Sequence, residues 1–272
     1  MQLGLKNRLR LISLFPIVIL FSITSYYVYQ SYENYKIAQV LQDKLSVNRQ
    51  LNSLVNNISR ERGMTVMYLG NSSQNTLRSL VKQRALVDQQ ELSYLSHIKE
   101  KSVLHEHSNG MSNCKTCQSI KTISQNLEEI KKMRILVDEQ QTNFEDVYKN
   151  VYGKVIQSAV AELEKITSNQ IDPEINTYAI EYTTLIRANA SSADERDFIS
   201  FAIARASEFE EGELNTWMSL ISKADNLSYD TLKNSTLISA LDAIYTTEDA
   251  LELFDDINTE RTDVILAADS GE

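Results

Sequence analysis

Apolar and polar positions alternate with helical spacing along most of the chain. Beyond residue 32, apolar residues recur every three or four positions from Val40 onward, until Gly70-Asn-Ser-Ser predicts the end of a first helix. The same spacing predicts further helices over about 76–101, 117–137, 144–166, 174–189, 194–222, 229–245 and 248–266. We therefore expect an all-α fold with up to eight helices, arranged as one or two antiparallel bundles.

Two of these helices have explicit start signals. Asp172-Pro173-Glu174 combines an N-cap residue, a proline at the first helical position and an acid in the first turn. Ser192-Ala-Asp-Glu195 has the spacing of a capping box. We therefore predict one helix that begins at about residue 174 and another that begins at about residue 194, the second with a break near Gly212.

The N-terminal part differs from the rest because residues 11–29 contain no charged side chain. Nineteen residues that rise about 1.5 Å each span roughly the core of a bilayer. Lys6, Arg8 and Arg10 precede the segment, and four tyrosines gather at its far end. We predict a cytoplasmic N-terminus (1–10), a transmembrane signal anchor (11–31) and an extracytoplasmic domain (32–272). A cleaved signal peptide is the alternative, but no A-x-A site follows the apolar run.

Composition and charge narrow the choice of function. Seven Gly and two Pro in 272 residues argue against a mostly β fold, whose turns need them. With 27 basic and 37 acidic residues the net charge is −10, and the three bases before the apolar segment leave −13 for the exported part. An acidic domain is a poor partner for nucleic acid. No nucleophile elbow, phosphate-binding loop or H-E-x-x-H motif is present, so we do not expect an enzyme.

Two arginines lie on apolar stripes of predicted helices, and a third lies where a helix is predicted to begin. Arg62 falls on the helical face of Val55 and Ile58, next to Gly63, and Arg205 shares a face with Phe198 and other apolar residues. Arg196 is placed in the first turn of its predicted helix. A buried arginine must pair with an acid or bind an anion, and its planar fork of donors matches carboxylate or nitrate. Internal salt bridges are the alternative, for Arg62 with one of the 37 acids, and for Arg196 and Arg205 with acids such as Glu195, Glu208 or Asp194.

Four segments in order resemble one family. Leu54–Leu69, with its Arg-Glu-Arg-Gly core, is similar to the first-helix signature of the nitrate- and nitrite-sensing (NIT) domain. Gln83–Asp88, Leu127–Asp138, and Asp194–Arg205 with Trp217 downstream resemble later helices of the same domain. The resemblance covers roughly residues 40–260.

This resemblance implies an extracytoplasmic sensor of two up-down four-helix bundles in the inner membrane of a bacterium, as in chemoreceptors, with the sensor in the periplasm. A nitrate- or nitrite-like anion would lie among the helices, held by Arg62 and Arg196, with Arg60, Arg205 and Arg261 as further candidates. Ser59 stands where the family usually has Gln, so another small anion remains an alternative. We expect a homodimer that signals by helix displacement to a cytoplasmic output domain beyond residue 272, or to a partner protein.

A cluster of metal-ligand residues lies between the second and third predicted helices. All three His and both Cys fall within residues 97–117, and they are His97, His105, His107, Cys114 and Cys117. This set suits zinc or copper, although the sensor requires no cofactor. A Cys114–Cys117 disulfide is the competing interpretation in an oxidising compartment. A metal- or redox-responsive sensor and a helical protein-interaction module are therefore the alternatives to an anion sensor.

Overall fold

The computed structural model describes residues 5–105, 115–168, 173–209, 212–225 and 232–270. Within these ranges the chain forms helices and no strand, which confirms the predicted all-α class. The α-helices are α1 (Leu5–Gly70), α2 (Gln74–His105), α3 (Lys115–Asp138), α4 (Lys154–Ser168), α5 (Pro173–Arg205), α6 (Glu213–Asp225), α7 (Ser235–Tyr245) and α8 (Glu248–Ser270). A π-helical segment, Asp146–Gly153, leads directly into α4.

The chain divides into two compact units, Met1–Val47 and Asn48–Glu272. In the described residues one segment, Leu14–Gln39, is long and apolar enough to cross a membrane, with a mean hydropathy of 1.3. Its apolar side chains, such as Leu20 and Phe21, are exposed. A membrane anchor and an N-terminal signal sequence both fit this segment, and the predicted orientation and the boundaries at residues 10 and 31 stay predictions.

Hydrogen bonds and ion pairs define the directions of α1, α2 and α3 in the second unit. The contacting pairs are Gln83 with Asn57, Gln90 with Gln50, Arg84 with Asp138, and Lys131 with Glu91. As the chain advances along α2, its partners move backward along α1 and also backward along α3. Both pairs of helices are therefore antiparallel, as short connections between neighbouring helices favour.

Helices α1 and α5 run parallel and approach closely at two glycines. A Cβ atom on Gly63 would lie 2.5 Å from Asp197 Oδ1, and one on Gly70 would lie 2.8 Å from Ala204 Cβ. The two contacts are seven residues apart on both helices, so they fall on one face of each. The missing Cβ atoms allow α5 to pack almost against the α1 backbone.

The predicted helix boundary near residue 190 is wrong, because α5 continues without interruption from Pro173 to Arg205. Residues 189–194 contain no Gly or Pro, and Glu195, the acid of the expected capping box, binds Arg261 of α8 instead of capping a helix. Helix α5 ends where Ala206 adopts a left-handed φ of 51°, and α6 starts after Gly212, whose φ is 83°. The predicted helix over 194–222 is therefore the end of α5 followed by α6.

Two further boundaries differ from the prediction. The predicted helix over 144–166 contains the π-helical segment, where a Cβ on Gly153 would lie 2.7 Å from the carbonyl oxygen of Tyr148. Helix α7 begins at Ser235 instead of residue 229, because Asn234 caps it by accepting the Thr236 and Leu237 N–H groups. The spacing of apolar residues does not distinguish a π-helix from an α-helix over two turns.

Candidate functional site

Arg62 of α1 is the most deeply buried cation among the described residues. Its side chain is 2% exposed, and it lies on the predicted stripe with the buried Val55 and Ile58. Its Nε donates to Asp197 Oδ2 at 2.6 Å, and its Nη1 is 2.7 Å from Asp194 Oδ1. The sequence-based prediction of a buried Arg62 and the alternative of an internal salt bridge are thus both confirmed.

The charge of Arg62 is held in place by its surroundings. Burial disfavours the guanidinium, but the Asp197 and Asp194 carboxylates outweigh this and raise the pKa of Arg62. The Tyr148 ring, 5.0 Å away, adds a cation–π contact. The third nitrogen, Nη2, is buried and has no hydrogen-bond partner among the described residues. Because buried donors are nearly always bonded, this nitrogen marks a place for a further acceptor.

Asp197 of α5 links two of the predicted arginines. The carboxylate is 0% exposed, and its second oxygen accepts Arg196 Nε at 2.9 Å and Arg196 Nη2 at 2.7 Å. Arg196 lies in the last third of α5 instead of in a first helical turn, and its side chain is 51% exposed. The structure therefore brings Arg62 and Arg196 together across one aspartate, and a role for either in binding an external anion stays a prediction.

Gly63 is the residue that lets Asp197 reach Arg62, and its replacement tests the closeness of this contact. Gly63→Ala should lower the free energy of unfolding by about 1–2 kcal/mol, because the new methyl group meets a carboxylate that two arginines hold in place. The gain in helix propensity of about 1 kcal/mol opposes this cost only in part. Urea unfolding followed by circular dichroism measures the change, with Ser79→Ala on the exposed side of α2 as control. A Gly63→Ala variant more stable than the wild type would contradict the tight packing.

A cleft of about 580 Å³ opens beside Arg62. Its walls come from α1, α4, α5, α6 and the π-helical segment, and they include Arg62, Gly153, Ile156, Gln157, Val160, Ala161, Glu164, Arg187, Ala190, Ser191, Asp194 and Lys223. Arg187 pairs with Glu164 at 2.5 Å. Arg187 and Lys223 were missed from the sequence, because exposed cations at polar helix positions give no signal. Arg187 could have been noticed only by its position seven residues before Asp194, on the same face of α5.

A second buried network adjoins the first on α1. Glu61 is 0% exposed and receives Arg134 Nε and Nη2, each at 2.7 Å, and the Tyr152 hydroxyl at 2.5 Å. Arg134 also contacts Asp88 at 2.6 Å. Glu61 and Arg134 lie in two different segments that resemble the NIT domain, and the sequence did not predict that they pair. This network fixes α1, α2, α3 and the π-helical segment around one carboxylate.

The remaining arginine candidates lie elsewhere. Arg261 of α8 binds both carboxylate oxygens of Glu195, so Glu195-Arg196 repeats the arrangement of Glu61-Arg62. Arg205 pairs with the Glu213 carboxylate at 2.7 Å, and it meets Glu208, one of the partners named from the sequence, through the backbone carbonyl at 3.1 Å. Arg60 is exposed and lines a separate cleft of about 330 Å³ with Arg49. None of these three lines the cleft beside Arg62 in the described part of the chain.

The Cys–His cluster falls mostly where the structure gives no description. His107 and Cys114 lie outside the described residues, as do the side chains of His105 and Cys117. His97 lies on α2 and is half-buried. The zinc or copper site and the alternative disulfide therefore stay predictions.

Comparison with known proteins agrees with the fold. The sequence matches the family described as "Nitrate and nitrite sensing" over residues 53–269. The solved structure of the NasR transcription antiterminator is similar, with a TM-score of 0.67 and 14% identity over 92% of this chain and 75% of that chain. Curated protein sequences gave no match. Because the family match covers most of the chain and includes the Arg62 and Arg196 segments, the chain belongs to the nitrate- and nitrite-sensing (NIT) family.

Proposed function

We propose that this protein is a membrane-anchored sensory domain that binds a nitrate- or nitrite-like anion between its helices and passes a helix displacement across the membrane. The observation that carries the proposal is Arg62, a buried guanidinium beside an open cleft, with one nitrogen that lacks a partner among the described residues. Family membership supports nitrate or nitrite as the ligand class. An extracytoplasmic location, two four-helix bundles, a homodimer and a cytoplasmic output domain or partner protein belong to the same proposal.

The charges around the cleft suit an anion that arrives in an otherwise acidic domain. Arg62, Arg187 and Lys223 contribute three positive charges to the walls, against the carboxylates of Asp194 and Glu164. An anion in the cleft would contact α1 through Arg62, α5 through Arg187 and α6 through Lys223. It would therefore favour the arrangement in which these helices converge, by no more than its difference in affinity for the two arrangements.

Helix α1 supports the idea that such a shift reaches the membrane. Its bounds include both Arg62 and the apolar segment Leu14–Gln39. Small translations of helices are an established way to transmit ligand binding.

Thermal unfolding of the full chain in detergent, titrated with sodium nitrate and sodium nitrite against sodium chloride at equal ionic strength, tests the proposal. A bound ligand at 100 times its Kd stabilises the folded state by about 2.7 kcal/mol, so a saturable rise in Tm is expected. Arg62→Lys keeps the charge but removes the planar fork of donors, and it should weaken nitrate binding at least about tenfold.

Two variants keep this test decisive. Arg60→Gln removes an exposed charge two residues away and should leave the nitrate response unchanged. Lys223→Gln removes a second cation from the cleft lining, and it gives a second measure if Arg62→Lys folds poorly. If neither nitrate nor nitrite raises the wild-type Tm beyond chloride, or if Arg62→Lys and Lys223→Gln both respond as the wild type does, the site is not the one proposed.

A further inference from the structure

The cleft beside Arg62 is far larger than nitrate needs. A water molecule occupies about 30 Å³ in the liquid, and the cleft measures about 580 Å³. It could therefore hold roughly 20 waters, whereas nitrate has four heavy atoms. Sites for small organic molecules have volumes of about 300–1,000 Å³. The size of the cleft indicates a ligand that has an uncharged organic part as well as an anionic group.

The walls of the cleft differ in character. Ile156, Val160 and Ala161 of α4, with Ala190 of α5, present hydrocarbon to the space. Such a wall does not stabilise a bare oxyanion. Hydrogen-bond donors favour the binding of an oxyanion, and its desolvation against hydrocarbon disfavours it. The wall does favour an alkyl chain, through the hydrophobic effect. The combination of one apolar wall and a few polar groups is typical of sites for organic ligands.

The donors in the cleft suit a carboxylate. Arg62 has a single nitrogen without a partner among the described residues, because Asp194 and Asp197 occupy the other two. Lys223 forms no ion pair with a carboxylate in the part of the chain that the structure describes, and it is the second donor on the walls. Two separate donors match the two oxygens of one carboxylate group.

We propose that this cleft binds a short-chain aliphatic carboxylate, with its carboxylate at Arg62 and Lys223 and its alkyl chain against the α4 wall. This inference rests on the proposed function, since it assumes that the Arg62 cleft is the anion site, and it extends the ligand class beyond nitrate and nitrite. Nitrate would occupy only the cationic end of the same cleft.

Isothermal titration of the full chain in detergent with formate, acetate, propionate, butyrate and nitrate tests this class of ligand. Affinity should rise about threefold to fourfold for each methylene added from acetate to butyrate, as expected for buried methylene groups. Butyrate should therefore bind more tightly than nitrate. Val160→Thr replaces one wall methyl with a hydroxyl at nearly the same volume, and it should reduce the gain per methylene while leaving formate and nitrate unchanged. Val81→Thr, on the exposed face of α2, is the matched control.

The outcomes separate this inference from the function on which it rests. Nitrate binding that depends on Arg62, without a rise in affinity along the carboxylate series, overturns the inference and leaves the proposed function standing. A rise that Val160→Thr does not reduce places the alkyl chain elsewhere and also overturns the inference. A rise that Val160→Thr reduces, with carboxylate affinity at least about tenfold lower in Arg62→Lys, supports it whether or not nitrate binds. Carboxylate affinity that Arg62→Lys leaves unchanged overturns it. Failure of nitrate and of every carboxylate to bind overturns both.

Discussion

Replacing Arg134 with methionine is expected to lower the free energy of unfolding by about 3–5 kcal/mol. The substitution leaves the fully buried Glu61 carboxylate with the Tyr152 hydroxyl but without its cation. An ionised carboxylate in this position has lost its water and gains too little from one neutral donor. Urea unfolding of the chain, followed by circular dichroism at several protein concentrations, measures the loss.

The loss of stability depends on the burial of the ion pair, and a second, more exposed ion pair serves as the comparison. Arg187→Met breaks a similar bidentate pair with Glu164, but at a more exposed position, so it should cost no more than about 1 kcal/mol. The double variant Glu61→Leu with Arg134→Met removes both charges and should recover part of the loss, with Tyr152 left short of one acceptor. Equal losses for Arg134→Met and Arg187→Met would show that the Glu61 network contributes no more than a surface pair.

Stability is expected to fall steeply above about pH 10, the ordinary pKa of tyrosine. Burial, reinforced by Glu162, raises the pKa of Tyr94, and burial with the adjacent Glu61 raises that of Tyr152. In both cases the unfolded chain loses its proton first, so the stabilisation present below pH 10 is lost as the pH rises toward the folded-state pKa. Each tyrosine contributes about 1.4 kcal/mol per pH unit over that interval.

Unfolding free energies of the wild type and Tyr94→Phe between pH 7 and pH 11.5 test this dependence. Below pH 9 the free energy of unfolding should depend on pH in the same way in both chains. Above pH 10 it should fall less steeply with pH in Tyr94→Phe, by the equivalent of about one proton. Tyr152→Phe should show the same change in slope, on top of a loss at every pH because Glu61 loses a donor. Parallel curves for the wild type and Tyr94→Phe above pH 10 would contradict the raised pKa of Tyr94.

Local periodicity was enough to predict the fold class and the burial of Arg62. Arg62 lies on the stripe that contains Val55 and Ile58, and this spacing depends only on α-helical geometry. Its partners could not be predicted in the same way, because Asp197 lies 135 residues further along the chain and is one of 37 acids. Which acid meets which arginine is decided by helix packing, which one sequence does not report.

The missed Glu61 network did leave a signal. Glu61 follows Leu54 by seven residues and Ile58 by three, so it shares the buried face that drew attention to Arg62. A buried carboxylate requires a cation, so the position of Glu61 also predicts a basic partner on a later helix. The helix start predicted at Ser192–Glu195 was wrong for a different reason. A sequence with capping-box spacing can also lie inside a helix when its side chains bind elsewhere.

The two glycines of α1 also limit how this protein can move. A slide of α1 along α5 by one helical turn, about 5.4 Å, would bring Met67 or Ser59 to the place that Gly63 occupies against Asp197. Either side chain would collide with the α5 surface, and the same slide would displace Gly70 from Ala204. The contact between α1 and α5 therefore permits only axial shifts well below one helical turn. Any signal that passes between these two helices must therefore be a small translation, or a rotation about the glycine contacts. A change of register between the helices is excluded.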